Sequence, residues 1–147
     1  MSERILVGAD HAGFALKQKL VTELKRLGYD AVDVGPKALD PADDYPDFAK
    51  PVAQAVSSGQ AARGVLTCGT GLGMSYAANR YPKVRAAVVW SPEVAELSRK
   101  HNDANVLVLP AQFVSEDEGL EILRRWLDTK FDGGRHARRV EKIDAGR

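Results

Sequence analysis

A single cysteine, Cys68, stands in the 147-residue chain. That scarcity rules out an intrachain disulfide and a Cys-x-x-Cys redox pair, and nothing in the composition requires an oxidising compartment. Histidine is scarce too. His11, His101 and His136 come without a His-Glu-x-x-His or a paired cysteine, so no metal is expected. No apolar run approaches the ~20 residues of a membrane helix. Neither sign of charge dominates: 21 basic residues against 20 acidic ones leave a net charge of +1. A broad electrostatic surface for nucleic acid is thereby excluded, and neither nucleic acid nor membrane is an expected partner. Repeats and low-complexity segments are absent. The length suits one domain with a sizeable core, residues 1–147. The start, MSERILVGADHAG, reaches charged and polar residues too soon for a signal peptide, so the expected location is cytoplasmic.

What is there alternates between short apolar runs and amphipathic segments. RILVGAD (4–10), DAVDVG (30–35), GVLTCG (64–69), VRAAVVW (84–90) and NVLVLP (105–110) read as strands. Helices are expected over 12–28, with Leu16, Leu20, Leu24 and Leu27 on one face, and over 46–59, with Phe48, Val52 and Val56 on one face. Pro51 is expected in the first turn of that second helix, where a missing N–H is tolerated. A short helix follows over 71–81. Ser91-Pro92 starts another that runs to His101. Ser115 and Glu118 form a capping-box pattern before GLEILRRWLDTKF. Residues 36–45 form a Pro- and Asp-rich loop. The basic tail GGRHARRVEKIDAGR is expected to form a last helix that packs on a partner subunit. Continuously apolar strands alternating with helices imply one parallel, doubly wound α/β domain, covered on both faces.

In such a sheet, ligands gather at the carboxyl ends of the strands. Asp10 and His11 follow the first strand. Cys68 and the loop CGTGLG follow the third. Glycines 69, 71 and 73 permit close backbone approach and can aim N–H groups at an anion. The loop is neither a dinucleotide fingerprint nor a P-loop. A tight turn, an anion site and an oxyanion site for a cysteine nucleophile all remain compatible with it. Taken alone, Cys68 reads first as a small apolar residue ending a buried strand and second as a thiol whose pKa a helix N-terminus lowers. Arg135 and Arg139 share a helical face, which suits either a phosphate or an inter-subunit salt bridge. His101 and Asn102 precede the fifth strand, so they fall at the opposite strand ends. That mismatch points to an oligomer in which they reach a neighbour's site.

Together these segments resemble the type B ribose-5-phosphate isomerases, a family that includes the galactose-6-phosphate isomerase subunits. The resemblance runs along nearly the whole chain, through GADHAGF (8–14), DYPDFA (44–49), CGTGLGMSYAANR (68–80), RAAVVW (85–90), LSRKHNDANVL (97–107) and GGRHARRV (133–140). It implies an α/β, single Rossmann-like three-layer sandwich with a five-stranded parallel sheet plus a C-terminal helix. It further implies an aldose–ketose isomerase acting on a phosphorylated sugar without metal or organic cofactor, as a homodimer or homotetramer with active sites at a subunit interface. Carried over residue by residue, Cys68 is the base that moves a proton between C2 and C1. The backbone from Gly69 through Gly71 and Leu72 to Gly73 holds the oxyanion, and Thr70 assists proton movement. His101 opens the sugar ring with help from Asp10. His11, Tyr45, Asn102, Arg135 and Arg139 bind substrate and phosphate. The chain departs from the family pattern at Gln112, where an arginine is common. Two other functions compete. One is isomerisation of a 6-phosphohexose such as allose or galactose 6-phosphate. The other is a non-catalytic sugar-phosphate or nucleotide binding module.

Overall fold

The computed structural model describes residues 2–146. Five strands, β1 (Arg4–Ala9), β2 (Asp30–Gly35), β3 (Arg63–Cys68), β4 (Ala86–Val88) and β5 (Val106–Pro110), form one parallel sheet in the order β2-β1-β3-β5-β4. Six helices accompany them: α1 (Phe14–Arg26), α2 (Tyr45–Ser58), α3 (Leu72–Ala78), α4 (Pro92–Asn102), α5 (Glu116–Asp128) and α6 (Arg135–Ala145).

Period-two alternation divides the core into two layers. Val65, Leu107 and Leu109 face one side, where Leu16, Leu20 and Leu24 of α1, Ala95 of α4, and Ile122, Leu123 and Trp126 of α5 close over them. Their neighbours Leu66, Val106 and Val108 face the other side, against Ala49, Val52 and Ala53 of α2 and Met74 and Ala78 of α3. The strands are apolar on both faces because both faces are covered. Each buried leucine of this kind is worth about 1.5–3 kcal/mol relative to exposure.

The expected capping devices form. Ser91 Oγ accepts from the Val94 N–H at 3.2 Å. Ser115 and Glu118 bond reciprocally, at 3.1 Å and 2.9 Å. Three expectations are corrected. Helix α2 begins at Tyr45, so Pro46 occupies its first turn and Pro51 lies in its interior, without an N–H for the carbonyl four residues back. Leu27 is the C-cap of α1 and is exposed. Strand β4 is only three residues long. At its outer edge the Asn79 side chain meets the first residue, accepting from the Ala86 N–H at 2.8 Å and donating to the Ala86 carbonyl at 3.0 Å. The tail helix α6 folds back on its own chain, against α4, and Asp144 takes Arg85 Nη1 at 3.0 Å.

Candidate active site

The order of strands reverses between β1 and β3, the point at which an open α/β sheet leaves a crevice at its carboxyl edge. Ala9 pairs with Thr67, which sets Asp10 level with Cys68. Cys68 pairs in turn with Pro110 of β5. Asp10 is buried, and its Oδ1 accepts from the Gly13 N–H at 3.1 Å. Gly13 is required here, because a Cβ on it would stand 2.5 Å from the Thr67 carbonyl oxygen. The β1–α1 turn therefore lies flat on the end of β3.

Cys68 is buried at the mouth of the loop. The loop is tied to the exit of β5: the Ala111 N–H donates to the Cys68 carbonyl at 2.9 Å, and the Gln112 N–H to the Gly69 carbonyl at 3.0 Å. Gly71 turns the chain into α3 with φ of 77°, a left-handed conformation that glycine adopts freely. Thr70 is exposed, and its Oγ1 accepts from the Leu72 N–H at 3.2 Å. Its own hydroxyl proton is thereby left to donate elsewhere. The Tyr45 ring, from the start of α2, lies against Gly73, where a Cβ would come within 2.6 Å of Cζ.

His11 completes this edge. Its Nδ1 lies 2.8 Å from Asp43 Oδ1, and its backbone N–H donates to the same oxygen at 3.0 Å. The Asp43 hydrogen bond raises the imidazole pKa above its ordinary value. Partial burial opposes this, and the charges of Asp10, Asp43 and Asp40 add to it.

A second group gathers at the amino edge. His101 and Asn102 end α4, and the His101 ring stacks on His136 of α6 at 4.4 Å between centroids, 14° from parallel. Burial, with the charges of His101, Arg135 and Arg139, holds the His136 pKa below its ordinary value. Arg135 and Arg139 stand exposed on the opening turns of α6. Asn102 also borders a cavity of about 450 Å³ between β4 and α6, lined by Tyr81, Arg85, Ile143 and Asp144 among others. Strand β5 runs from one edge to the other, a rise of roughly 13–17 Å. Within one chain, then, Asp10, His11, Tyr45, Cys68, Thr70 and the glycine loop come together, while His101, Asn102, Arg135 and Arg139 form a separate group.

Among the described residues, two clusters carry donor atoms within 4.8 Å of one another, Asp10–His11–Asp43 and His101–Asp132–His136. In the first, His11 Nδ1 is engaged with Asp43 at ion-pair distance. In the second, the imidazoles lie face to face, and ring lone pairs directed in the ring planes do not converge on a common point. Reading the sequence missed Asp43, which is one of several acids in the Pro- and Asp-rich loop 36–45. It also missed Lys17, although its spacing with Leu20 and Leu24 puts it on the buried face of α1. The stacking of His136 carried no sequence signal.

The sequence model of the Ribose/Galactose Isomerase family matches residues 5–143. Ribose-5-phosphate isomerase B of Escherichia coli is 42% identical over 143 residues, covering 97% of this chain and 95% of that protein. The solved ribose-5-phosphate isomerase B of Mycoplasma genitalium, with bound ribulose-5-phosphate, is 43% identical with a TM-score of 0.96, covering 99% of this chain and 97% of that one. The Clostridium thermocellum ribose-5-phosphate isomerase B structure is 47% identical with a TM-score of 0.94, covering 97% and 95%.

Proposed function

The chain belongs to the ribose/galactose isomerase family, and we propose that it is an aldose–ketose isomerase, a single sugar-phosphate isomerase domain that interconverts ribose 5-phosphate and ribulose 5-phosphate. One observation carries this reading. A lone buried thiol at the end of β3 sits level with the Asp10 carboxylate and opens directly into a glycine loop.

In the open-chain aldose, the Cys68 thiolate removes the proton from C2. The electron pair forms the C1–C2 double bond of an enediolate, and negative charge moves onto O1. N–H groups of Gly69, Gly71 and Gly73 face that charge as a preorganised anion hole. The Leu72 N–H is engaged with Thr70 Oγ1, which orients the Thr70 hydroxyl proton for exchange between O2 and O1. The Cys68 thiol then returns its proton to C1, and C2 becomes the ketone carbon. The net change is an exchange of protons, so no electron carrier enters the balance.

Ring opening needs a donor at the ring oxygen, and His101 takes that part with Asp10 holding a sugar hydroxyl. His101 lies at the amino edge of its own sheet, so the complete site joins the carboxyl edge of one chain to the amino edge of another. Arg135 and Arg139 of that second chain meet the phosphate across from His11, with Asn102 beside them. The fit of a second copy is supported by exposed Leu72 and Tyr76 on α3, Trp90 after β4 and Leu97 on α4. Apolar groups of that size favour burial in an interface. Among the described residues no helix is long and apolar enough to cross a membrane, and a water-borne sugar phosphate suits a cytoplasmic setting.

A 6-phosphohexose is the second reading. It rests on Gln112, an uncharged side chain against Gly69 where the family often carries an arginine, a departure that fits a shifted sugar preference. The test is ribulose 5-phosphate formation by the purified chain in excess chelator, beside allose 6-phosphate and the Cys68→Ala variant. Turnover of ribose 5-phosphate lost in the variant supports the assignment. Turnover of the hexose phosphate alone transfers the same chemistry to the second reading.

A further inference from the structure

Asp43 is poorly explained as a structural residue. It lies in the loop between β2 and α2, and its side chain is only 8% exposed. Oδ1 takes both donors that His11 presents, the backbone N–H at 3.0 Å and Nδ1 at 2.8 Å. Among the described residues, Oδ2 is buried without a hydrogen-bond partner. An unpartnered buried carboxylate oxygen weakens a fold, so a neutral residue would serve the loop better if stability were the only demand.

Building on the reading in which His11 binds the sugar's phosphate, we propose that Asp43 is a positioning residue that holds His11 as an imidazolium with Nε2 turned to the phosphate. The tautomer logic requires it. A neutral imidazole donating through Nδ1 to Asp43 would present Nε2 as a bare acceptor, which repels a phosphate oxygen. Only the doubly protonated ring both satisfies Asp43 and donates to the anion. The charges around His11 agree in sense. Asp43, Asp10 and Asp40 all favour the protonated ring, and partial burial opposes them. The exits of β3 and β5 bring Cys68, Thr70 and Gln112 to the same edge, and none of these is a fixed cation. Arg135 and Arg139 would approach from the second chain, and their charges favour the neutral ring, which Asp43 offsets.

The Asp43→Asn variant keeps the shape, keeps an oxygen for the His11 N–H and removes the charge. The His11 ring is titrated by NMR in the intact protein, with Asp43→Asn and Asp43→Glu beside the wild type. KM and kcat for ribose 5-phosphate are followed from pH 6 to 9. The His11 pKa is expected to fall by about one unit in Asp43→Asn, which makes the charged fraction roughly tenfold smaller at high pH. The variant's KM should match the wild type near pH 6 and exceed it by about tenfold at pH 8. Its kcat should stay within about twofold, and Asp43→Glu should restore part of the loss. A structural role would instead raise KM equally at every pH. Superimposable KM profiles, or an unchanged His11 pKa, overturn the proposal. If the wild type turns over no sugar phosphate, the functional reading fails on its own, and inorganic phosphate still decides the role of Asp43. A saturable shift of the His11 resonance at pH 7.5 in wild type, lost in Asp43→Asn, supports it, and equal shifts overturn it.

Discussion

Gln112 lies across Gly69. Its amide carbon and Nε2 are 3.1 Å from where a Cβ on that glycine would stand, and its own N–H holds the Gly69 carbonyl at 3.0 Å. The first residue of the proposed anion hole is thus roofed by a neutral side chain from the exit of β5.

An arginine at this position, common in the family the chain resembles, would add a charge-assisted hydrogen bond to the substrate's anionic group. Gln112→Arg is expected to lower KM for ribose 5-phosphate by about tenfold, corresponding to ~1.4 kcal/mol, with little change in kcat. Steady-state kinetics at neutral pH measure it. An unchanged or higher KM would show that Gln112 is not a limit on phosphate binding in this chain.

The loop that carries Asp43 and Tyr45 begins at a buried ammonium. Lys17 is fully enclosed, meets both Asp33 oxygens at 2.9 Å and donates to the Pro36 carbonyl at 2.6 Å. Removing the counter-charge strands the ammonium, so Asp33→Ala is expected to destabilise the fold by about 3 kcal/mol. Lys17→Met removes the charge with its need for a partner and is expected to lose about 1 kcal/mol or less. Urea denaturation of the two variants ranks them, and the reverse order would contradict the account.

Glu23 links α1 to α5. It takes Arg26 on both oxygens at 2.7 Å and Arg124 Nε at 2.6 Å, and these hydrogen bonds hold its pKa down to about 2 from an ordinary 4.5. A depressed carboxylate pKa stabilises the fold above the unfolded value and loses that contribution as pH falls through the folded one. Both guanidiniums are well exposed, so screening reduces the effect to ~1 kcal/mol. Glu23→Gln should therefore be less stable than wild type at pH 7, with the gap closing between about pH 4.5 and 2. Thermal melts across that range check the sign, and a gap that widens on acidification would refute it.

Much of this arrangement was legible in the sequence because it follows from local rules. The strands β1, β2, β3 and β5 announce themselves by apolar runs, and Ser91 and Ser115 by cap chemistry. The placement of Asp10 and Cys68 at one edge was legible because a parallel sheet delivers the ends of β1 and β3 to the same side. What escaped depends on contacts distant in sequence. Strand β4 is only three residues long, and the Asn79 side chain that meets its first residue on the outer edge is a contact no periodicity reveals. Pro51 is carried inside α2 because the helix starts earlier, at Tyr45. Asp43 reads as a solvated loop acid until the fold sets it 2.8 Å from His11.

The central claim is that Cys68 of one chain works with His101 of another, and complementation tests it most directly. Cys68→Ala and His101→Ala are each expected to be nearly inactive alone. Mixed dimers, formed by co-expression or by co-refolding equal amounts, contain one site with both residues lost and one with both intact. Random pairing then makes half the dimers mixed, each with one working site, so ribulose 5-phosphate formation should return to about a quarter of the wild-type rate. A mixture as inactive as its parents would contradict the shared site, and with it the account of how this chain opens and isomerises a sugar.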